Sequence, residues 1–113
     1  EDFAILLHNC GARLAHLQQI LKSGAEIYHF GAPMDIIAAL QQVDGQVILG
    51  GNLDPTAVFF NGTPDEVRAQ TAALLEQARG IPNFVLSSGC DIPPGTPAEN
   101  IRAFYHTAQN FEG

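Results

Sequence analysis

Positive charge is scarce in this chain. Five of its 113 residues are Lys or Arg against twelve Asp and Glu, for a formal charge of −7. Nucleic acids and anionic membrane surfaces are bound through clustered cations, so that balance argues against either as a partner. Tryptophan is absent and methionine occurs once. Cysteine occurs twice, beside four histidines. Two cysteines are too few for a disulfide scaffold and suit a reducing, cytoplasmic setting. No apolar run approaches the roughly 20 residues that a bilayer span needs. The opening EDFAILL is acidic and lacks the basic stretch of a signal peptide.

What is present describes a folded protein. A hydrophobic fraction of 46% with 15% charged residues is globular rather than disordered. The length fits one domain over residues 1–113. The chain starts at Glu1 without methionine and meets an apolar segment by Phe3. We therefore expect a piece of a longer protein.

Short apolar runs alternate with longer helical patterns. FAILLH (3–8), EIYHF (26–30), VILGG (47–51) and FVLSS (84–88) are too short for helices and lie beside Gly, Pro or Asn. Each reads as a strand, and their near-continuous apolarity suits a parallel sheet. Between and after them run helical stripes: Leu14, Leu17, Ile20 and Leu21; Ile36, Ile37 and Leu40; Val67, Thr71, Leu74, Leu75 and Ala78; Ile101, Phe104, Tyr105 and Ala108. Thr63-Pro64-Asp65-Glu66 and Thr96-Pro97-Ala98-Glu99 both predict a threonine N-cap, proline at N1 and glutamate closing a capping box. The connection GNLDPTAVFFNG has room for a short extra turn. Four successive βα units imply an α/β fold with parallel strands and right-handed crossovers. They make either a small doubly wound sheet or half of a (β/α)8 barrel.

Chemistry concentrates at the strand ends. Residues i and i+2 of a strand share a face, so His8 and Cys10 project together at the carboxyl end of the first strand. Cys90, eighty residues downstream, follows the fourth strand. Parallel α/β folds build sites at that end. One imidazole and two thiols suit Zn²⁺, and three protein ligands with one open position mark a catalytic metal centre. The competing explanation is that each cysteine is a small packed hydrophobe. Asn52 and Asp54 at the mouth of the third strand are candidates for substrate contact, or they only shape the turn before Pro55. His29 ends the second strand opposite the face of Tyr28 and Phe30, as a substrate or ligand-supporting residue or merely a packed one. Asp91 is placed to orient a ligand imidazole. His16 and His106 read as surface residues on helices.

GNLDP (51–55) followed by SSGCDIPPGTPAENIRAF (87–104) resembles the carboxyl-terminal part of the uroporphyrinogen decarboxylase superfamily, and the similarity spans nearly the whole chain. Those proteins are (β/α)8 barrels, so the resemblance implies a carboxyl-terminal half-barrel. True decarboxylases typically end the last strand in an LGHG-like segment, where this chain has Cys90 in GCDIP. That cysteine, with an upstream His-x-Cys, is similar to the corrinoid-dependent methyltransferase branch. The resemblance then implies that His8, Cys10 and Cys90 are zinc ligands. It also implies an enzyme moving a methyl group from a methylated corrinoid carried by a partner protein to a small thiol such as coenzyme M.

Four strands cannot close a barrel, and their inward face should be apolar. We expect that face to meet the missing amino-terminal half or a second copy of the chain, and the isolated chain to have little or no turnover. Two alternatives stay open. One is a metal-free porphyrinogen decarboxylase, a lyase, against which the scarcity of Arg and Lys counts. The other is a non-catalytic domain of the same superfamily.

Overall fold

The computed structural model describes residues 4–43, 45 and 47–111. The four apolar runs form one parallel sheet: β1 (Leu6–Asn9), β2 (Ile27–Phe30), β3 (Ile48–Leu53) and β4 (Phe84–Ser88). Phe3, the predicted start of the first strand, lies outside the described residues. The strands lie in the order β1-β2-β3-β4, each beside its predecessor. A doubly wound sheet reverses direction at a switch point. This one runs onward without reversal, as successive strands of a barrel do.

A 3₁₀ turn (Leu14–His16) leads into α1 (Leu17–Leu21), followed by α2 (Ile36–Gln42), α3 (Pro64–Gln77) and α4 (Ala98–Asn110). The long third connection contains the expected extra turn, a π-helical segment over Pro55–Phe60. No helix of the described residues is long and apolar enough to cross a membrane.

Alternation along the strands separates two faces. Tyr28, Phe30, Leu49 and Leu53 are buried in the core with Leu17, Ile36, Phe59 and Val67. The opposite face carries Leu6, Ile27, Ile48 and Val85 around an open hollow of about 420 Å³. Leu6 is 57% exposed and Val85 53%. The apolar inner face expected of an incomplete barrel is therefore present.

The two predicted capping boxes part company. At α3, Glu66 N–H donates to Thr63 Oγ1 (3.2 Å) and Thr63 N–H donates to Glu66 Oε1 (2.8 Å), as the motif demands. At α4 the expectation fails. The helix begins at Ala98 with Pro97 as its cap and no side-chain cap bond. Thr96 instead donates its hydroxyl (2.7 Å) and its amide (3.2 Å) to the Pro93 carbonyl. The Pro93–Thr96 turn thus takes up the hydroxyl that the motif would have used.

The buried stripe of α4 also differs from the expected one. Asn100, Ala103 and Phe104 face the core, while Tyr105 is 59% exposed. Fully buried Asn100 donates from Nδ2 to the carbonyls of Phe59 and Gly62, both at 2.8 Å. It therefore ties α4 to the end of the π-helical segment and the loop entering α3. Asn100→Ala removes both bonds and leaves those carbonyls without this donor, at an expected cost of about 2–4 kcal/mol. Chemical denaturation of parent and variant measures that cost, and a loss under about 1 kcal/mol would contradict the bridging role.

Candidate metal centre at the carboxyl ends of the strands

Parallel pairing aligns His8 of β1 with His29 of β2. Both rings point to the open face, with centroids 4.7 Å apart and an interplanar angle of 31°. Their Nδ1 atoms lie 2.7 Å apart. His29 Nε2 reaches the other way, 2.7 Å from Ser87 Oγ and 2.8 Å from the Ser88 carbonyl oxygen. The ring of His29 therefore spans from β1 to β4 across β3. Gly50 of β3 stands between and has no side chain, and a Cβ there would already touch His29 Cδ2 at 3.7 Å.

Cys10 and Cys90 leave opposite edges of the sheet yet meet above its end. Two glycines allow it. A Cβ on Gly31 would overlap the Cys10 carbonyl oxygen and stand 2.9 Å from its carbon. A Cβ on Gly89 would stand 2.9 Å from Ala32 N and 3.0 Å from Gly31 Cα. Backbone lies on backbone three segments deep, with the β1 and β4 exits pressed onto the start of the loop after β2. The Ser88 hydroxyl donates to the Cys90 carbonyl at 2.8 Å, turning the chain after β4.

The result is a compact donor set. One ligand atom each from His8, Cys10 and Cys90 lies within 4.8 Å of the others, and Cys90 Sγ is 3.8 Å from His8 Nε2. With Zn–S near 2.3 Å and Zn–N near 2.0 Å, donors around a tetrahedral ion stand roughly 3.5–3.8 Å apart. The three groups fit zinc after closing by about 1.3 Å at most. Both cysteines are free, Cys10 exposed and Cys90 half-buried. The hydrogen bond to Cys90, then desolvation, then the negative charge of Cys90 and Asp91 hold the Cys10 thiol above its ordinary pKa. Two thiols this close resist joint ionisation, and a bound cation relieves that conflict. A cleft of about 430 Å³ opens beside the cluster, lined by His8, His29, Ser87, Cys90, Asp91 and Ile92. No Arg or Lys lines it among the described residues.

The remaining candidates divide. Asp91 lines the cleft but makes no hydrogen bond among the described residues; the partner of the His8 ring is His29. Asn52 donates to the carbonyls of Gly31 (3.0 Å) and Met34 (2.6 Å), bracing the loop that carries Gly31. Asp54 accepts from the amides of Thr56 and Ala57, both at 2.9 Å, and caps the π-helical turn. Both line a separate hollow with Ala32, away from the cysteines. His16 and His106 are exposed on their helices. Ser87 and Ser88 were not singled out by the sequence. The alternation that puts Val85 on the open face puts Ser87 there too, which was the available signal.

Comparison with known proteins agrees with this architecture. The family model described as uroporphyrinogen decarboxylase (URO-D) matches residues 1–111. A methylcobamide:CoM methyltransferase of Methanosarcina mazei is 34% identical over 110 residues, covering 97% of this chain and 31% of that protein. A uroporphyrinogen decarboxylase of Prochlorococcus marinus is 32% identical over 94 residues, covering 83% of this chain and 26% of that protein. A solved structure described as a methyltransferase from Methanosarcina mazei superposes with a TM-score of 0.79 at 26% identity, over 96% of this chain and 31% of its own. The chain thus spans between about a quarter and a third of the length of these curated relatives.

Proposed function

Because the chain belongs to the uroporphyrinogen decarboxylase family, we propose that it carries the zinc ligands of a cytoplasmic methyltransferase that moves a methyl group from a methylated corrinoid protein to a small thiol. The observation that carries this reading is the convergence of His8, Cys10 and Cys90 to within 4.8 Å. A relative over 97% of the chain bears a methylcobamide:CoM methyltransferase name, which supports the same reading.

When bound, zinc supplies a site at which a thiol of pKa about 8.5 is held as thiolate at neutral pH. His8, Cys10 and Cys90 would hold the ion beside the cleft that His8 and Cys90 line. As thiolates, Cys10 and Cys90 would donate charge to the ion, which would keep a substrate sulfur held there nucleophilic. Ile92 gives the cleft an apolar wall, and the apolar hollow over Leu6, Ile27, Ile48 and Val85 adjoins it through His29 and Ser87. The decarboxylase reading requires a site for a polycarboxylate, and this cleft offers no Arg or Lys among the described residues to supply one.

Elemental analysis of protein purified without chelator, with X-ray absorption at the zinc edge, tests the reading. We expect about one zinc per chain with two sulfur neighbours. A folded chain that neither retains zinc nor takes it up would overturn it.

A further inference from the structure

Building on the zinc reading, we propose that His29 is the positioning residue that fixes the tautomer of His8, so that His8 Nε2 presents a lone pair to the metal. The argument starts at the Ser88 carbonyl oxygen, which can only accept. Ser87 Oγ donates to it at 2.8 Å, and His29 Nε2 lies 2.8 Å from the same oxygen. An unprotonated Nε2 would turn its lone pair against that carbonyl. A protonated Nε2 donates to it and shares its hydrogen with Ser87 Oγ at 2.7 Å.

His29 therefore carries its proton on Nε2, and its Nδ1 is an acceptor. The two Nδ1 atoms lie 2.7 Å apart, a distance that requires one hydrogen between them. That hydrogen belongs to His8. A neutral His8 protonated on Nδ1 has a bare Nε2, and this is the nitrogen 3.8 Å from Cys90 Sγ. The relay runs from β4 through β2 to β1 and ends at the metal position. Asp91 takes no part in it. A backbone carbonyl as the terminal acceptor ties the orientation to the sheet itself, and Gly50 leaves the path across β3 clear.

Two readouts test the proposal. Nitrogen-15 correlation spectra of the metal-free parent, at a pH where both rings are neutral, report each tautomer without reference to zinc. We expect the Nδ1–H form for His8 and the Nε2–H form for His29. Finding His8 as the Nε2–H form overturns the proposal. Zinc affinity, measured by competition with a chromophoric chelator, is the second readout. Removing a group that orients a metal-bound imidazole typically costs 10–100-fold. His29→Phe keeps the ring volume without the acceptor and should weaken zinc about that much. His29→Asn keeps an acceptor near the Nδ1 position and should stay within a few-fold of the parent. Equal affinity of the parent and His29→Phe, or equal weakening in both variants, overturns the positioning role. If the parent binds no zinc, the zinc reading fails while the tautomer spectra still decide the relay.

Discussion

A Cys90→Ala chain is expected to fold and to carry no stoichiometric zinc. Structural zinc sites with four protein donors are worth about 10–16 kcal/mol, or roughly 2.5–4 kcal/mol per donor. Losing one donor of that size weakens binding by roughly two to three orders of magnitude. The fold should barely notice. Cys90 is half-buried at the rim of the cleft and is not part of the hydrophobic core, so removing its sulfur opens no core cavity. Metal analysis and thermal unfolding on the same preparation separate the two effects. The informative outcome is loss of zinc with the metal-free melting temperature unchanged. Retention of about one zinc per chain in Cys90→Ala would show that the β1 and β4 exits do not share an ion. Cys10→Ala should produce the same loss, and the double variant should lose little more, because one site disappears once.

Gly31→Ala should impair the same site without touching a ligand. The added methyl would overlap the Cys10 carbonyl oxygen, which is backbone and cannot rotate away. The β1 exit must retreat, by about 1 Å judging from the contact distances that real side chains keep, and Cys10 moves with it. We expect at least a 10-fold loss of zinc affinity and a destabilisation of about 1–3 kcal/mol from the forced displacement. Gly11→Ala is the matched control. It also neighbours Cys10, but a Cβ there meets nothing within 4 Å, so its zinc affinity should equal the parent's. Chelator competition on the two variants checks the pair. A Gly31→Ala chain that binds zinc like Gly11→Ala would mean that Cys10 is not held by this backbone contact.

The difference between Thr63 and Thr96 shows how far local sequence reaches. Both head the same four-residue motif, and at Thr63 no other side-chain bond competes with the capping box among the described residues. Thr96 follows Pro93-Pro94-Gly95, where the turn already orients the Pro93 carbonyl toward its hydroxyl. A motif states what a residue can do, and its neighbours decide which partner it takes. Asn100 makes the same point inside a helix. Its buried amide satisfies two carbonyls from segments some forty residues earlier, and no helical periodicity marks it as a core residue.

The four strands, their parallel order and the helices between them follow from runs of apolar residues and their spacing, because burial of one face acts through period 2 or 3.6 along the chain itself. The sequence also determined that His8, Cys10 and Cys90 stand at the same end of the sheet, since a strand's direction orders its residues from one end to the other. Distance across the sheet is another matter. Only the tertiary structure decided that Gly31 and Gly89 let the outer exits fold inward until two sulfurs and an imidazole nitrogen lie within 4.8 Å. It alone turned His29 from a strand-end histidine into the link between His8 and the Ser88 carbonyl. It also drew Asn52 and Asp54 away into backbone bonds of their own. These outcomes depend on which strands lie side by side and in what register, and contacts of that kind join residues whose separation along the chain carries no periodic signal.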